Sequence, residues 1–203
     1  MTPDTKYASS GGINIAYQVI GDGPLDLVLV PGWVSNIEVF WEEPNFARFL
    51  RELSSFARLI LADPLGIKVG GVLDRDIADM HALPHDEYMR LAWADPINGE
   101  RDLTALPETA LAAIARGREA FALFGWKPYM HNPRLKHWLH RIDVPTLVLW
   151  GEQDGIVSSE YCQAWCAEIA GSRYETIADA GHFPHWEQPE TFAETVSRFI
   201  DTH

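Results

Sequence analysis

The sequence is short of cysteine, short of positive charge and free of any long apolar run. The only cysteines are Cys162 and Cys166, in "EYCQAWCAEIA". Their spacing sets them one turn apart on a predicted helix, where a disulfide would be strained. No His or Cys cluster beside them completes a zinc site. Reduced, half-buried thiols are expected, which suits a cytoplasmic protein. Lys and Arg number 16 against 29 Asp and Glu, a net charge of −13. A surface that acidic repels phosphate backbones and anionic lipid, so neither nucleic acid nor a membrane is an expected partner. No apolar stretch approaches the roughly 20 residues that span a bilayer. The start, "MTPDTKYASSGG", has no basic end followed by an apolar run and does not read as a signal peptide. No internal repeat is visible.

What is present is an interrupted α/β pattern. With 203 residues, 47% of them hydrophobic, the chain has enough apolar side chain for one sizeable core. "INIAYQV" (13–19) alternates as a strand does, and "GDGP" (21–24) is a turn signal. "LDLVLVPG" (25–32) is an apolar run that predicts a buried parallel strand. "NFARFLRELSSF" (45–56) places Phe46, Phe49, Leu50 and Leu53 on one helical face, and "ARLILAD" (57–63) is strand again. Residues 25–63 thus read as one β-α-β unit. From 70 to 140 no convincing strand is seen, and 84–95 and 107–126 read as helices. The α/β pattern then resumes: strand 144–154, helix 158–170 capped by Ser158 or Ser159, strand 173–182, and a closing amphipathic helix 188–201. The expected organisation is a single α/β domain made of residues 1–69 and 141–203, with a helical cap inserted at 70–140. Its mainly parallel sheet should carry chemistry at the carboxyl ends of its strands.

Two loops at such ends stand out. "GEQDGIV" puts Asp154 just after one strand, and "DAGHFPHWEQPE" puts His182 just after the next. The separation of 28 residues is one strand-loop-helix-strand unit. Adjacent parallel strands would then set a carboxylate beside an imidazole. A carboxylate bonded to one ring nitrogen fixes the tautomer and raises the basicity of the other. His185 reads as packing or surface. His81 and His85 beside Asp86, and His137 and His140, read as cap residues rather than metal ligands, because no third ligand is placed. No metal or cofactor site is expected.

"PTLVLWGEQDGIV…AGHFPHWEQPE", with both loops in order at family spacing, resembles the α/β-hydrolase superfamily over about residues 13–61 and 140–202. The resemblance implies Asp154 as the acid and His182 as the histidine of a catalytic triad. "VPGW" (30–33) resembles the family's oxyanion loop, which implies a main-chain N–H of Trp33 or Val34 as oxyanion donor. Such a donor leaves the side chains there free to vary. The N-terminal segment "GPLDLVLVPGWVSNIEVFWEEPNFARFLRELSSFARLIL" further resembles hydrolase-like modules that occur in bacteria alongside nucleotide cyclases.

The family's nucleophile sits in Gly-x-Ser-x-Gly on a strained strand-to-helix turn, and no copy of that motif occurs in this sequence. Ser35 lies in the oxyanion loop, Ser54 and Ser55 end a helix, and Ser158 and Ser159 are caps. "GIKVGG" (66–71) has the glycines but offers Lys68, behind Asp63 and Pro64. The resemblance therefore implies that the central elbow strand and helix are absent and that the nucleophile is unknown. Without that strand a sheet edge is left open, to be covered by the cap or by a second chain in a homodimer. Three functions are carried forward. One is a hydrolase of esters or activated C–C bonds, impaired by the missing serine. Another is a His–Asp general-base enzyme of lyase or cofactor-free oxygenase type. The third is a non-catalytic ligand-binding or sensing module. In each, a small apolar or aromatic molecule is the expected partner.

Overall fold

The computed structural model describes residues 3–10, 13–30, 37–62, 83–100, 102–124 and 139–203. The chain divides into two compact units, Met1–Val69 with Asp102–His131, and Gly70–Arg101 with Asn132–His203.

The first unit is built on a four-stranded sheet. Its strands are β1 (Lys6–Ser10), β2 (Ile13–Ile20), β3 (Asp26–Leu29) and β4 (Arg58–Ala62), in the order β1-β2-β4-β3. β2 is antiparallel to β1 and to β4, while β3 and β4 are parallel, with Leu27 opposite Leu59 and Leu29 opposite Leu61. Helix α1 (Pro44–Phe56) joins β3 to β4 and completes the β-α-β unit read from the sequence. Glu43 caps it: the carboxylate accepts from the Asn45 and Phe46 N–H groups, and Pro44 takes the first turn, where no amide donor is needed. Phe46, Phe49, Leu50 and Leu53 form its buried face, each contributing about 1.5–3 kcal/mol by leaving water. Gln18, fully buried in β2, donates to Thr5 Oγ1 (3.1 Å) and accepts from Trp41 Nε1 (2.8 Å), so its amide is satisfied at both ends. Helix α3 (Glu108–Phe124) belongs to this unit too.

One expectation needs correction here. The apolar run at 25–32 predicted a buried strand. β3 is instead the last strand of its sheet among the described residues, and Val28 (59%) and Val30 (45%) are exposed. The physical reason is that β3 has a described ladder partner on one side only, β4.

The second unit carries the paired loops. β5 (Leu147–Gly151) and β6 (Arg173–Ile177) are parallel and in register from Leu147–Arg173 to Gly151–Ile177. Helix α4 (Ser159–Glu168) connects them, with the Ser158 hydroxyl accepting from the Tyr161 N–H as its cap. After β6 come the one-turn helix α5 (Pro184–Glu187) and helix α6 (Pro189–Ile200), both opened by proline. Helix α2 (His85–Ala92) packs in the same unit, with Met89 and Ala92 buried. The described parts of residues 70–140 contain helix and 3₁₀ turns and no strand.

Candidate functional site

The site is made where β5 and β6 end. Gly151 closes β5, and the Glu152 N–H donates to Ile177 O (3.0 Å) while the Gln153 N–H donates to Ala180 O (2.9 Å). The two strand ends are thereby sewn together just before each side chain of interest. Asp179, with φ 52, takes the left-handed turn that carries the chain from β6 to His182. Aspartate is among the few non-glycine residues that adopt it readily.

Asp154 and His182 meet directly. Asp154 Oδ2 stands 3.0 Å from His182 Nδ1. The other oxygen, Oδ1, accepts from the N–H groups of Ile156 (2.8 Å) and Val157 (3.0 Å). Both oxygens are thus committed, and the carboxylate side chain is only 5% exposed while the imidazole is 33% exposed. A buried carboxylate with two backbone donors is held in one orientation, and it sets the facing ring nitrogen as the protonated one. The second ring nitrogen, Nε2, is then the basic one, and among the described residues no hydrogen-bond partner is recorded for it. The Phe183 ring lies edge-on to the imidazole at 5.0 Å.

The remaining residues singled out in the sequence fall as follows. Trp33, Val34, Ser35, Lys68, His81 and His137 lie outside the described residues. Ser54 and Ser55 donate to Arg51 O and Glu52 O within α1. His85 and His140 are exposed, and no cluster of three metal-ligating side chains occurs among the described residues. His185 packs beside Phe183, Trp186 and Phe192, where burial and the neighbouring His182 push its imidazole down to about 4. Burial, with the Asp154 charge beside it, pushes the Cys162 thiol up to about 11. That shift disfavours the thiolate, the nucleophilic form of the group.

One residue near the pair was not given a role by the sequence reading. Glu187, five residues after His182, turns its carboxylate back onto the histidine loop and accepts from the Gly181 N–H (2.6 Å). The quoted "HWEQPE" contains it, but charge and position alone do not distinguish it from an ordinary residue of a helix start.

The fold that carries these strand ends is shared with solved structures. A meta-cleavage product hydrolase from Pseudomonas fluorescens superposes with a TM-score of 0.66 at 15% identity, covering 97% of this chain and 97% of that one. The chain has the α/β-hydrolase fold. The sequence model of the family described as "alpha/beta hydrolase fold" also matches it, over residues 112–189. Among sequence relatives, the pimeloyl-[acyl-carrier protein] methyl ester esterase of Serratia marcescens is 24% identical over 251 aligned positions, 92% of this chain and 98% of the esterase. An uncharacterised protein of Mycobacterium bovis is 31% identical over 102 residues, half of this chain but only 29% of that protein. The matched stretch thus spans less than a third of that relative's length.

Proposed function

We propose that this α/β-hydrolase-fold chain is a hydrolase of esters or activated C–C bonds in which His182 is the general base and Asp154 holds it. The observation that carries the reading is the 3.0 Å contact between His182 Nδ1 and a 5%-exposed Asp154 carboxylate. In the step envisaged, His182 Nε2 takes the proton of a water or hydroxyl as its oxygen bonds to the substrate carbonyl carbon. The imidazolium, balanced by Asp154, then returns that proton to the departing alkoxide or carbon as the old bond breaks. Main-chain N–H groups of Trp33 or Val34 are the proposed donors to the intermediate oxyanion.

No Gly-x-Ser-x-Gly motif occurs in the sequence. The alignment to the Serratia marcescens esterase has 251 positions against 203 residues here, so at least 48 of them have no counterpart in this chain. That supports a lost elbow segment, with His182 acting on water and turnover well below that of a serine hydrolase. The proposed substrate is a small apolar or aromatic molecule, the proposed cap is 70–140, and a homodimer is the proposed cover for the exposed β3 edge at Val28 and Val30. Among the described residues no helix is long and apolar enough to cross a membrane.

A second reading, a non-catalytic ligand-binding module, draws on the same feature: no described hydroxyl is recorded at His182 Nε2. The deciding experiment is intact mass after fluorophosphonate treatment, run beside turnover of p-nitrophenyl esters by wild type and His182→Ala. Turnover lost in His182→Ala with no phosphonate adduct supports general-base hydrolysis. A mapped adduct would identify a covalent nucleophile instead. A cooperatively folded protein with neither turnover nor adduct, yet stabilised by an apolar ligand, would establish the binding module.

A further inference from the structure

The C-terminal end of α2 is bound to both loops of the pair. The Gly155 N–H, next to Asp154, donates to Leu91 O (2.9 Å), and the His182 N–H donates to Ala92 O (2.7 Å). The approach is backbone to backbone. A Cβ on Gly181 would stand 2.6 Å from Ala92 O and 2.8 Å from Ala94 N, and one on Gly155 would stand 3.0 Å from Leu91 O. Where α2 stops, at Ala92, the chain would leave its next amides without helical partners. One side chain takes them. Glu187 Oε1 accepts from the N–H groups of Ala94 (2.9 Å) and Asp95 (3.2 Å), while Oε2 accepts from the Gly181 N–H. Three main-chain donors from two segments, more than eighty residues apart in sequence, converge on one carboxylate. Trp93 closes the join from the apolar side, edge-on to Trp186 at 5.7 Å and 4.8 Å from Phe183.

We propose that Glu187 is a positioning residue: it fastens the His182 loop to residues 94–95 and so keeps Nδ1 on Asp154. The proposal rests on the Asp154–His182 reading above. The physical argument is that the imidazole is a third exposed and, among the described residues, has Asp154 as its one hydrogen-bond partner, so its orientation depends on where the main chain of Gly181 and His182 is held. Hydrogen bonds from N–H groups to a carboxylate are about twice as strong as those to a neutral acceptor. Glutamine can replace one oxygen but would set its NH₂ against the other donors. Glu187→Gln therefore undoes half of the join while preserving shape.

The test reads the ring itself and needs no substrate. Nitrogen-15 and carbon-13 shifts of the imidazoles give the tautomer of neutral His182 in wild type, Asp154→Asn and Glu187→Gln, assigned with His182→Gln. The expected result is a dominant Nδ1–H tautomer in wild type. Its preference should fall about tenfold in Glu187→Gln, the equivalent of one lost charge-assisted hydrogen bond, while the far-ultraviolet spectrum and cooperative unfolding persist. An unchanged tautomer in Glu187→Gln, lost in Asp154→Asn, would overturn the positioning role and leave the Asp–His pair standing. A wild-type ring indifferent to Asp154→Asn would overturn the pair, and the positioning role with it. Should Glu187→Gln not fold, amide exchange in wild type decides: Gly181, Ala94 and Asp95 must open together as one protected group, and independent or unprotected exchange overturns the proposal.

Discussion

Gly151 lies so close to Gly181 that a side chain there has no room: a Cβ on Gly151 would overlap the Gly181 carbonyl oxygen and stand 2.6 Å from Ala180 O. The two loops that carry Asp154 and His182 are therefore spaced by bare backbone. Gly151→Ala must push the histidine loop away from β5. The expected cost is about 1–3 kcal/mol of stability, the usual range for overpacking. It should appear as a lower urea midpoint with an unchanged slope, together with a weakened Nδ1–H tautomer of His182. A midpoint equal to that of wild type would mean that the loops are not held this close.

Asp154→Asn separates the electrostatic role of the carboxylate from its structural one. The Asn side-chain oxygen can still accept from Ile156 and Val157, so the loop should survive with a stability change within about 1 kcal/mol. The negative charge facing His182 is lost. If His182 is the general base, kcat/KM for a p-nitrophenyl ester should fall by about 10²–10⁴-fold, the typical worth of general-base catalysis. Equal kcat/KM in the two proteins would remove Asp154 from the mechanism.

Gln18 makes a separate prediction in the first unit. Replaced by leucine, it would leave Trp41 Nε1 without its 2.8 Å acceptor and Thr5 Oγ1 without its donor. A donor left unpaired costs about 1–3 kcal/mol when fully buried and less when part-buried, as Trp41 Nε1 is, so Gln18→Leu should lower the unfolding midpoint by at most that amount. A midpoint raised above wild type would show that the amide pair is dispensable.

Most of the second unit was legible in the sequence because its signals are local. "PTLVLWG" and "RYETI" are short apolar or β-branched runs that stop at Gly or an acidic turn, and they form β5 and β6. Pro189 and the spacing of apolar residues after it marked α6. Asp154 and His182 could be paired because one β-α-β unit fixes how far apart in sequence two neighbouring strand ends must lie. What was not legible depends on pairing partners that the local pattern does not specify. "KYASS" has no apolar alternation and forms β1 only because Lys6–Ser10 pairs with Ile13–Tyr17 of β2. The exposure of Val28 is set by which strand lies beside β3, and composition cannot convey that. Glu187 acts on Ala94 and Asp95, 93 and 92 residues earlier, and no pattern within "HWEQPE" encodes that reach.

His185 gives the pair a pH-dependent neighbour. Burial foremost, and then the charge of His182, depress its folded-state value to about 4, from an ordinary 6.5. Between these values the unfolded chain binds the proton and the folded chain does not. Stability therefore falls as pH drops from about 6.5 towards 4, and is independent of this group above that window. A shift of this size corresponds to about 3 kcal/mol at most. Paired unfolding curves at pH 7 and pH 4.5 should show a smaller acid loss for His185→Phe than for wild type. Identical losses would mean that His185 is as easily protonated folded as unfolded.

The thiol of Cys162 bears on which group could attack a substrate. It lies on α4, and burial first, then the charges of Asp154 and Cys166, raise it to about 11. Against an ordinary value near 9, two units leave roughly a hundredth of the usual thiolate at neutral pH. Alkylation by iodoacetamide at pH 7.5, followed by peptide mapping, should therefore be about a hundred times slower at Cys162 than for a free cysteine. Asp154→Asn should speed it, because one of the charges opposing the thiolate is gone. Fast labelling of Cys162 in the wild type would reverse the argument. It would put an activated sulfur within the influence of the Asp154 charge and offer a nucleophile in a sequence that has no Gly-x-Ser-x-Gly motif.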